Sequence, residues 1–195
     1  MTVTTIAPHT SIQDISIQIG ATVWFTGLPS AGKTTLAHAV AGLLRSDGNR
    51  VEVLDGDAVR ESLSAGLGFS RADRETNIDR IGFVAELLAR NGVLVLAAVI
   101  SPYATARDRV RDRHAGSGTA FLEVHVATPL AECTARDVKG LYARQARGEL
   151  TGLTGVDDIY EPPPAPELRL DTTGRPVGED AAAVLNLLQR KGILQ

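Results

Sequence analysis

Short apolar runs and longer amphipathic stretches alternate along the chain. The runs at Thr22–Thr26, Val51–Leu54, Val93–Val99, Phe121–Val126 and Glu167–Leu170 are mostly apolar, with many branched residues. Such near-continuous apolar segments predict strands buried on both faces of a parallel sheet. Between them, Leu36, Ala37, Val40, Ala41, Leu43 and Leu44 recur at helical spacing, as do Ile78, Ile81, Val84, Ala85 and Leu88. This periodicity, with its neighbours, predicts helices over Lys33–Ser46, Asp57–Ala65, Arg71–Arg90, Tyr103–His114, Pro129–Asp137 and Glu179–Arg190. Gly48-Asn49 and Asn91-Gly92 fall where two of these helices should stop. The alternation predicts an α/β fold, a mostly parallel five-stranded sheet with helices on both faces. Residues 20–195 read as one domain, and residues 1–19 as an N-terminal arm without the regions of a signal peptide. The Pro-rich stretch 161–166 reads as a stiff connector to the last strand.

The joint between the first strand and first helix carries the strongest chemical signal. Gly27-Leu28-Pro29-Ser30-Ala31-Gly32-Lys33-Thr34 fits G-x-x-x-x-G-K-[ST] at every fixed position. Glycines let such a loop curl so that backbone N–H groups face phosphate oxygens. The following helix N-terminus favours the same anion. Lys33 adds a charge for the outer phosphates, and Thr34 offers a hydroxyl to Mg²⁺.

In parallel sheets ligands collect beyond the carboxyl ends of the strands. Asp55-Gly56-Asp57 follows the second predicted strand, with Arg60 about one helical turn on. These carboxylates suit Mg²⁺ or an acceptor proton, and equally a helix N-cap. Arg74 and Asn77 continue the apolar stripe of the long helix inward, where polar groups need partners. A bound anion and a base or ribose would supply them; so would pairing among neighbouring charges. Ser101-Pro102-Tyr103 follows the third strand. Residues 138–161, with Lys139, Arg144 and Arg147 among glycines, read as a closing lid or as a surface helix and loop.

Bulk properties narrow the class. The 195 residues suffice for one domain with a sizeable core. A net charge of −3 gives no reason to expect binding to nucleic acid or an anionic membrane. Cys133 is the single cysteine, which excludes an intrachain disulfide and suits a reducing cytoplasm. The apolar run Val93–Ile100 is too short to span a bilayer. The four histidines have no metal-ligand spacing.

Together these motifs resemble the adenylylsulfate kinase (APS kinase) family, from about Gly20 to Gln195. The matching stretches are Gly27–Thr34, Asp55-Gly56-Asp57 with Arg60, and Gly68-Phe69-Ser70 with Asp73-Arg74 and Asn77. Further on they are Ile100-Ser101-Pro102-Tyr103 with Arg107, 136–142 and 151–162. The resemblance implies a P-loop NTPase-type three-layer sandwich with a lid at 138–161. It implies a cytoplasmic homodimer that uses MgATP to phosphorylate the 3′-hydroxyl of adenosine 5′-phosphosulfate (APS), giving PAPS and ADP in sulfate assimilation. By resemblance, Lys33, Asp57 and Ser101 are catalytic. Gly27, Leu28, Pro29, Ser30, Ala31, Gly32, Lys33, Thr34 and Thr35 hold the ATP phosphates, Thr34 the Mg²⁺, and Arg136 lies beside the ATP adenine. Asp57, Arg60, Phe69, Arg74, Asn77, Ile100, Ser101, Lys139 and Leu153 would bind APS. Ser101 matches a serine assigned elsewhere as a phosphoenzyme intermediate, although direct in-line transfer requires no protein nucleophile.

One departure bears on substrate choice. The family usually has an aromatic at the position of Leu153, clamping the APS base opposite Phe69. Leucine loses an aromatic term of about 0.5–1.5 kcal/mol, so weaker APS binding or a different nucleotide-like or antibiotic-like acceptor is the alternative. A nucleotide-dependent switch is a third reading; it leaves Arg74, Asn77 and the lid without a role.

Overall fold

The computed structural model describes residues 19–195; the rest of the expected N-terminal arm lies outside them. Five strands form one sheet: β1 (Ala21–Thr26), β2 (Val51–Asp55), β3 (Leu94–Ala98), β4 (Ala120–Val126) and β5 (Leu168–Leu170). Their order is β2-β3-β1-β4-β5 and every pairing is parallel. β1 lies at the centre and all six of its residues are buried, as its apolar run requires.

Among the described residues seven helices complete the order: α1 (Lys33–Ser46), α2 (Gly56–Glu61), α3 (Arg71–Ala89), α4 (Ala104–Ser117), α5 (Leu130–Arg136), α6 (Leu141–Ala146) and α7 (Val177–Arg190). Strand alternation sorts the core into two layers. Val23 and Phe25 join Leu36, Val40, Leu44, Val184 and Leu188 of α1 and α7. Trp24 joins Ile78, Ile81, Ala106 and Val110 of α3 and α4 on the other face. Burying one such large apolar side chain contributes about 1.5–3 kcal/mol, so both faces are firmly held.

One local reading changes and another gains its bounds. The second helix stops at Glu61, before a run of turns through Leu67. The Ser62 hydroxyl there competes for a backbone group by donating to the Ala58 carbonyl. Within 138–161 the structure contains α6, too short to show a period. It is held at its start by Asp137, whose carboxylate accepts the N–H groups of Tyr142 and Ala143.

Parallel register brings the carboxyl ends of β1, β2 and β3 to one edge, with Phe25 and Asp55 both opposite Ala98. The chain leaves β1 through Gly27 at φ 152°, where a Cβ would meet the Val126 carbonyl oxygen at 2.4 Å. Only glycine fits that crossing.

Candidate active site

A cavity of about 550 Å³ opens at this edge. Its walls are the phosphate loop, the ends of β2 and β3, the start of α3, and Val138, Lys139 and Leu141. Pro29, Ser30, Gly32, Lys33, Thr34 and Thr35 line one side. Asp57, Arg60, Phe69, Arg74 and Asn77 line the other, with Ile100, Ser101, Arg136 and Lys139 between. Four expected residues are not on the wall. The carbonyls of Gly27 and Leu28 sit behind Lys33, the Ala31 carbonyl accepts the Thr128 and Thr172 hydroxyls, and Leu153 is buried elsewhere.

Lys33 is buried, and its ammonium donates to the Gly27 and Leu28 carbonyls at 3.0 and 2.7 Å. Burial pulls its pKa down from 10.5 to about 8. The charged form is thus disfavoured in the folded protein, a cost present below pH 8 and fading towards 10.5. A polyphosphate anion would restore the charge. Nucleotide binding near pH 8.5 is therefore expected to take up most of a proton, and affinity to fall as pH rises above 8. Calorimetric titration in two buffers of different ionisation enthalpy checks this; identical heats would contradict it.

The Thr34 hydroxyl donates to Asp55 Oδ2 at 2.7 Å, while Asp55 Oδ1 accepts the Asp57 N–H at 2.9 Å. Asp55 is therefore both the N-cap of α2 and the carboxylate at Thr34, two readings that the sequence set against each other. A hydroxyl and a carboxylate this close form a hard-oxygen pair suited to Mg²⁺. Asp57 points elsewhere and pairs with Lys139, both side chains being more than half exposed. Exposed pairs contribute only about 0–1 kcal/mol, so a ligand can part them. Two contacts tie the Lys139 segment to the loop: the Tyr142 hydroxyl donates to the Pro29 carbonyl, and the Val138 N–H to Ser30 Oγ.

On the far wall Phe69 is 68% exposed, with the Arg60 guanidinium 4.6 Å from its ring centre. Asn77 is only 5% exposed, and its Oδ1 has no hydrogen-bond partner. Leaving such an atom unpaired costs about 1–3 kcal/mol, which a ligand donor would relieve. Arg74 finds its partners within the protein rather than waiting for an anion. It donates to the Phe69 carbonyl, Thr154 Oγ1 and the Gly152 carbonyl at 2.8, 2.7 and 2.6 Å, and lies 3.5 Å from Asp158. It therefore fixes the 152–158 segment against the cavity.

Leu153 is the main correction. It is 5% exposed and packed in the core cluster of α1 and α7, not on the cavity wall. Its flanking contacts explain this: Asp157 accepts the N–H groups of Gly152 and Leu153, turning the side chain inward. Leu153→Ala is expected to cost about 2–5 kcal/mol of stability with little change in acceptor affinity; the reverse outcome, in melting and steady-state kinetics, would return Leu153 to the site.

Ser101 adopts φ 40°, strained for a residue with a side chain. It is held there by Arg107, which donates to its carbonyl at 2.7 Å, to Glu123 at 2.7 Å and to the Glu161 carbonyl at 2.8 Å. Arg136 donates to Thr172 Oγ1 and the Thr172 carbonyl at 2.8 and 3.0 Å. It also borders a second cavity of about 190 Å³ with Thr35, Leu36 and Arg175. The sequence offered no cue to the partners of Thr172 and Tyr142, which are distant in the chain.

A phosphate loop after the central strand of a parallel sheet, facing a second wall across one cavity, defines a P-loop protein of the kinase type. A family model described as adenylylsulphate kinase matches residues 19–171, and the chain belongs to that family. It is 56% identical over 155 residues to a probable adenylyl-sulfate kinase of Synechocystis, covering 80% of this chain and 85% of that one. It is 50% identical over 175 residues to an adenylyl-sulfate kinase of Picosynechococcus, covering 90% and 97%. Among solved structures it resembles the Mycobacterium tuberculosis APS kinase in complex with AMPPNP and APS. The TM-score is 0.85 and the identity 48%, covering 87% of this chain and 98% of that one.

Proposed function

We propose that this protein transfers the γ-phosphoryl group of ATP to the 3′-hydroxyl of adenosine 5′-phosphosulfate. The observation that carries the reading is the single cavity joining Lys33 and Thr34 to Phe69 and the unpaired Asn77 Oδ1. The phosphate loop receives the triphosphate, and Lys33 turns from its two carbonyls to the outer phosphates. Thr34 and Asp55 would hold Mg²⁺, which when bound neutralises charge on those phosphates. Arg136 and the smaller cavity suit the ATP base. Phe69 offers its ring face to the acceptor base, and Asn77 accepts a hydrogen bond from it.

In the transfer the 3′-oxygen bonds to the γ-phosphorus as the bond to the ADP oxygen breaks. Asp57, released from Lys139, accepts the hydroxyl proton and passes it to solvent. Lys139 is then free to face the developing charge. The segment at 138–161 acts as a lid that keeps water out. Two copies form a dimer in the cytoplasm, which sedimentation of the pure protein checks for assembly; among the described residues no helix is long and apolar enough to cross a membrane. The enzymatic test is ADP release from MgATP with and without APS. Release that depends on APS supports the reading, and equal release without it contradicts it.

A further inference from the structure

Trp24 meets Ser101, which lines the cavity, from the core behind it. Trp24 is fully buried on β1, its ring tilted against Phe121 with 5.8 Å between centres. Its Nε1 lies 3.0 Å from Ser101 Oγ. An indole N–H can only donate, so Ser101 accepts, and its own proton must point elsewhere. Ser101 is 1% exposed yet lines the cavity. Among the described residues no carboxylate or imidazole is hydrogen-bonded to its Oγ, which the Trp24 indole occupies. Its backbone is pinned by Arg107 at its carbonyl and by the Thr26 hydroxyl at the Ile100 carbonyl, 2.7 Å each. The position of the hydroxyl oxygen is therefore fixed twice, through the main chain and through the indole, which leaves its proton the directions away from Trp24.

The side it faces is also fixed. Trp24 and Tyr103 belong to the core layer beneath α3 and α4. Asn77 stands on α3, whereas Lys33 begins α1 on the opposite face of the sheet. Ser101 thus belongs to the acceptor half of the cavity.

We propose that Trp24 is a positioning residue that holds the Ser101 hydroxyl as a hydrogen-bond donor to an oxygen of the acceptor substrate, and not as a nucleophile. The donor role rests on the phosphotransferase reading above; the Trp24–Ser101 bond does not. An oxygen that already accepts a hydrogen bond, with no base to take its proton, is poorly disposed to attack phosphorus. Transfer proceeds directly from ATP to acceptor, with no bond to Ser101 formed or broken.

Trp24 is the sole tryptophan, so the indole signals come from this residue alone. In Ser101→Ala the indole N–H Raman band and the emission maximum are expected to shift, and the melting temperature to fall by several degrees, because the buried Trp24 N–H loses its acceptor. The KM for APS should rise by about three- to ten-fold, the effect of one neutral hydrogen bond, while the KM for ATP stays within two-fold. Trp24→Phe should raise the KM for APS in the same direction. The double variant should be no worse than Ser101→Ala, because Trp24 acts through Ser101. Loss of turnover by several orders of magnitude in Ser101→Ala would make it a nucleophile and overturn the proposal. So would multiplied losses in the double variant, a change in KM for ATP in place of APS, or an unmoved indole band. A wild-type protein inert towards APS would remove the functional reading and the donor role with it, yet the Raman comparison would still read the bond.

Discussion

Lys33→Met is expected to abolish phosphoryl transfer and to leave the protein at least as stable as wild type. Lys33 brings the one ammonium that the phosphate loop aims at its ligand. Removing a single neutral donor from such a site typically costs 10²–10³-fold, and a full charge in a buried setting costs more, so a loss of at least about 10³-fold in kcat is expected. Stability moves the other way. Burial holds the Lys33 pKa near 8 in place of 10.5. That shift corresponds to a penalty on the order of a few kcal/mol at neutral pH, which methionine escapes while filling the same space. The two carbonyls that Lys33 satisfies, those of Gly27 and Leu28, lose their partner and offset part of the gain. Melting by calorimetry and turnover with APS test both halves. Near-normal turnover would mean that the loop is not the phosphate site; a large fall in melting temperature would mean that Lys33 is structural.

Arg107→Met is expected to give the opposite phenotype, a large loss of stability that drags activity down with it. The Arg107 guanidinium is buried and joins three elements: Glu123 on β4, the Ser101 carbonyl after β3 and the Glu161 carbonyl at the end of the 152–161 segment. Breaking a buried ion pair by deleting one partner costs about 3–5 kcal/mol. For a domain of this size that is a fall of about 10 °C in melting temperature. Glu123 keeps only a 3.4 Å contact with Arg111, too little to compensate. The strained φ of Ser101 should relax as well, so kcat with APS should fall even at temperatures where the variant is folded. A change in melting temperature of under 2 °C would show that the three acceptors find other partners.

The strands and the two long core helices were legible because their patterns run over many residues. β1 to β5 lie where the apolar runs stand, and α1 begins at Lys33 as the motif requires. The strand order was not legible, since parallel crossovers are settled by packing across the sheet. A surface helix within 138–161 was one of the readings, but the bounds of α6 were not legible because six residues hold less than two turns. The phosphate loop, Asp57 and Asn77 were expected at one site because each stands at a strand end or helix start where ligands gather, and Phe69 because of the family resemblance; one cavity brings them together. Arg74 stands at the cavity as expected, but its partners are neither the neighbouring charges nor in reach of a sequence pattern, because Gly152, Thr154 and Asp158 stand about eighty positions away. Leu153 was misplaced for a related reason: resemblance fixes a position in the chain, whereas the turn held by Asp157 fixes where the side chain goes. Trp24 looked like core and is core; only the structure puts its N–H on Ser101.

The most direct measurement follows the phosphoryl group itself. ATP labelled in the γ-phosphate is incubated with the protein, Mg²⁺ and APS, and the sulfated nucleotide product is treated with a 3′-nucleotidase. The account predicts one label per molecule of ADP formed, all of it released from the 3′ position. Label released as free phosphate without an acceptor, or no label in the sulfated nucleotide, would contradict it.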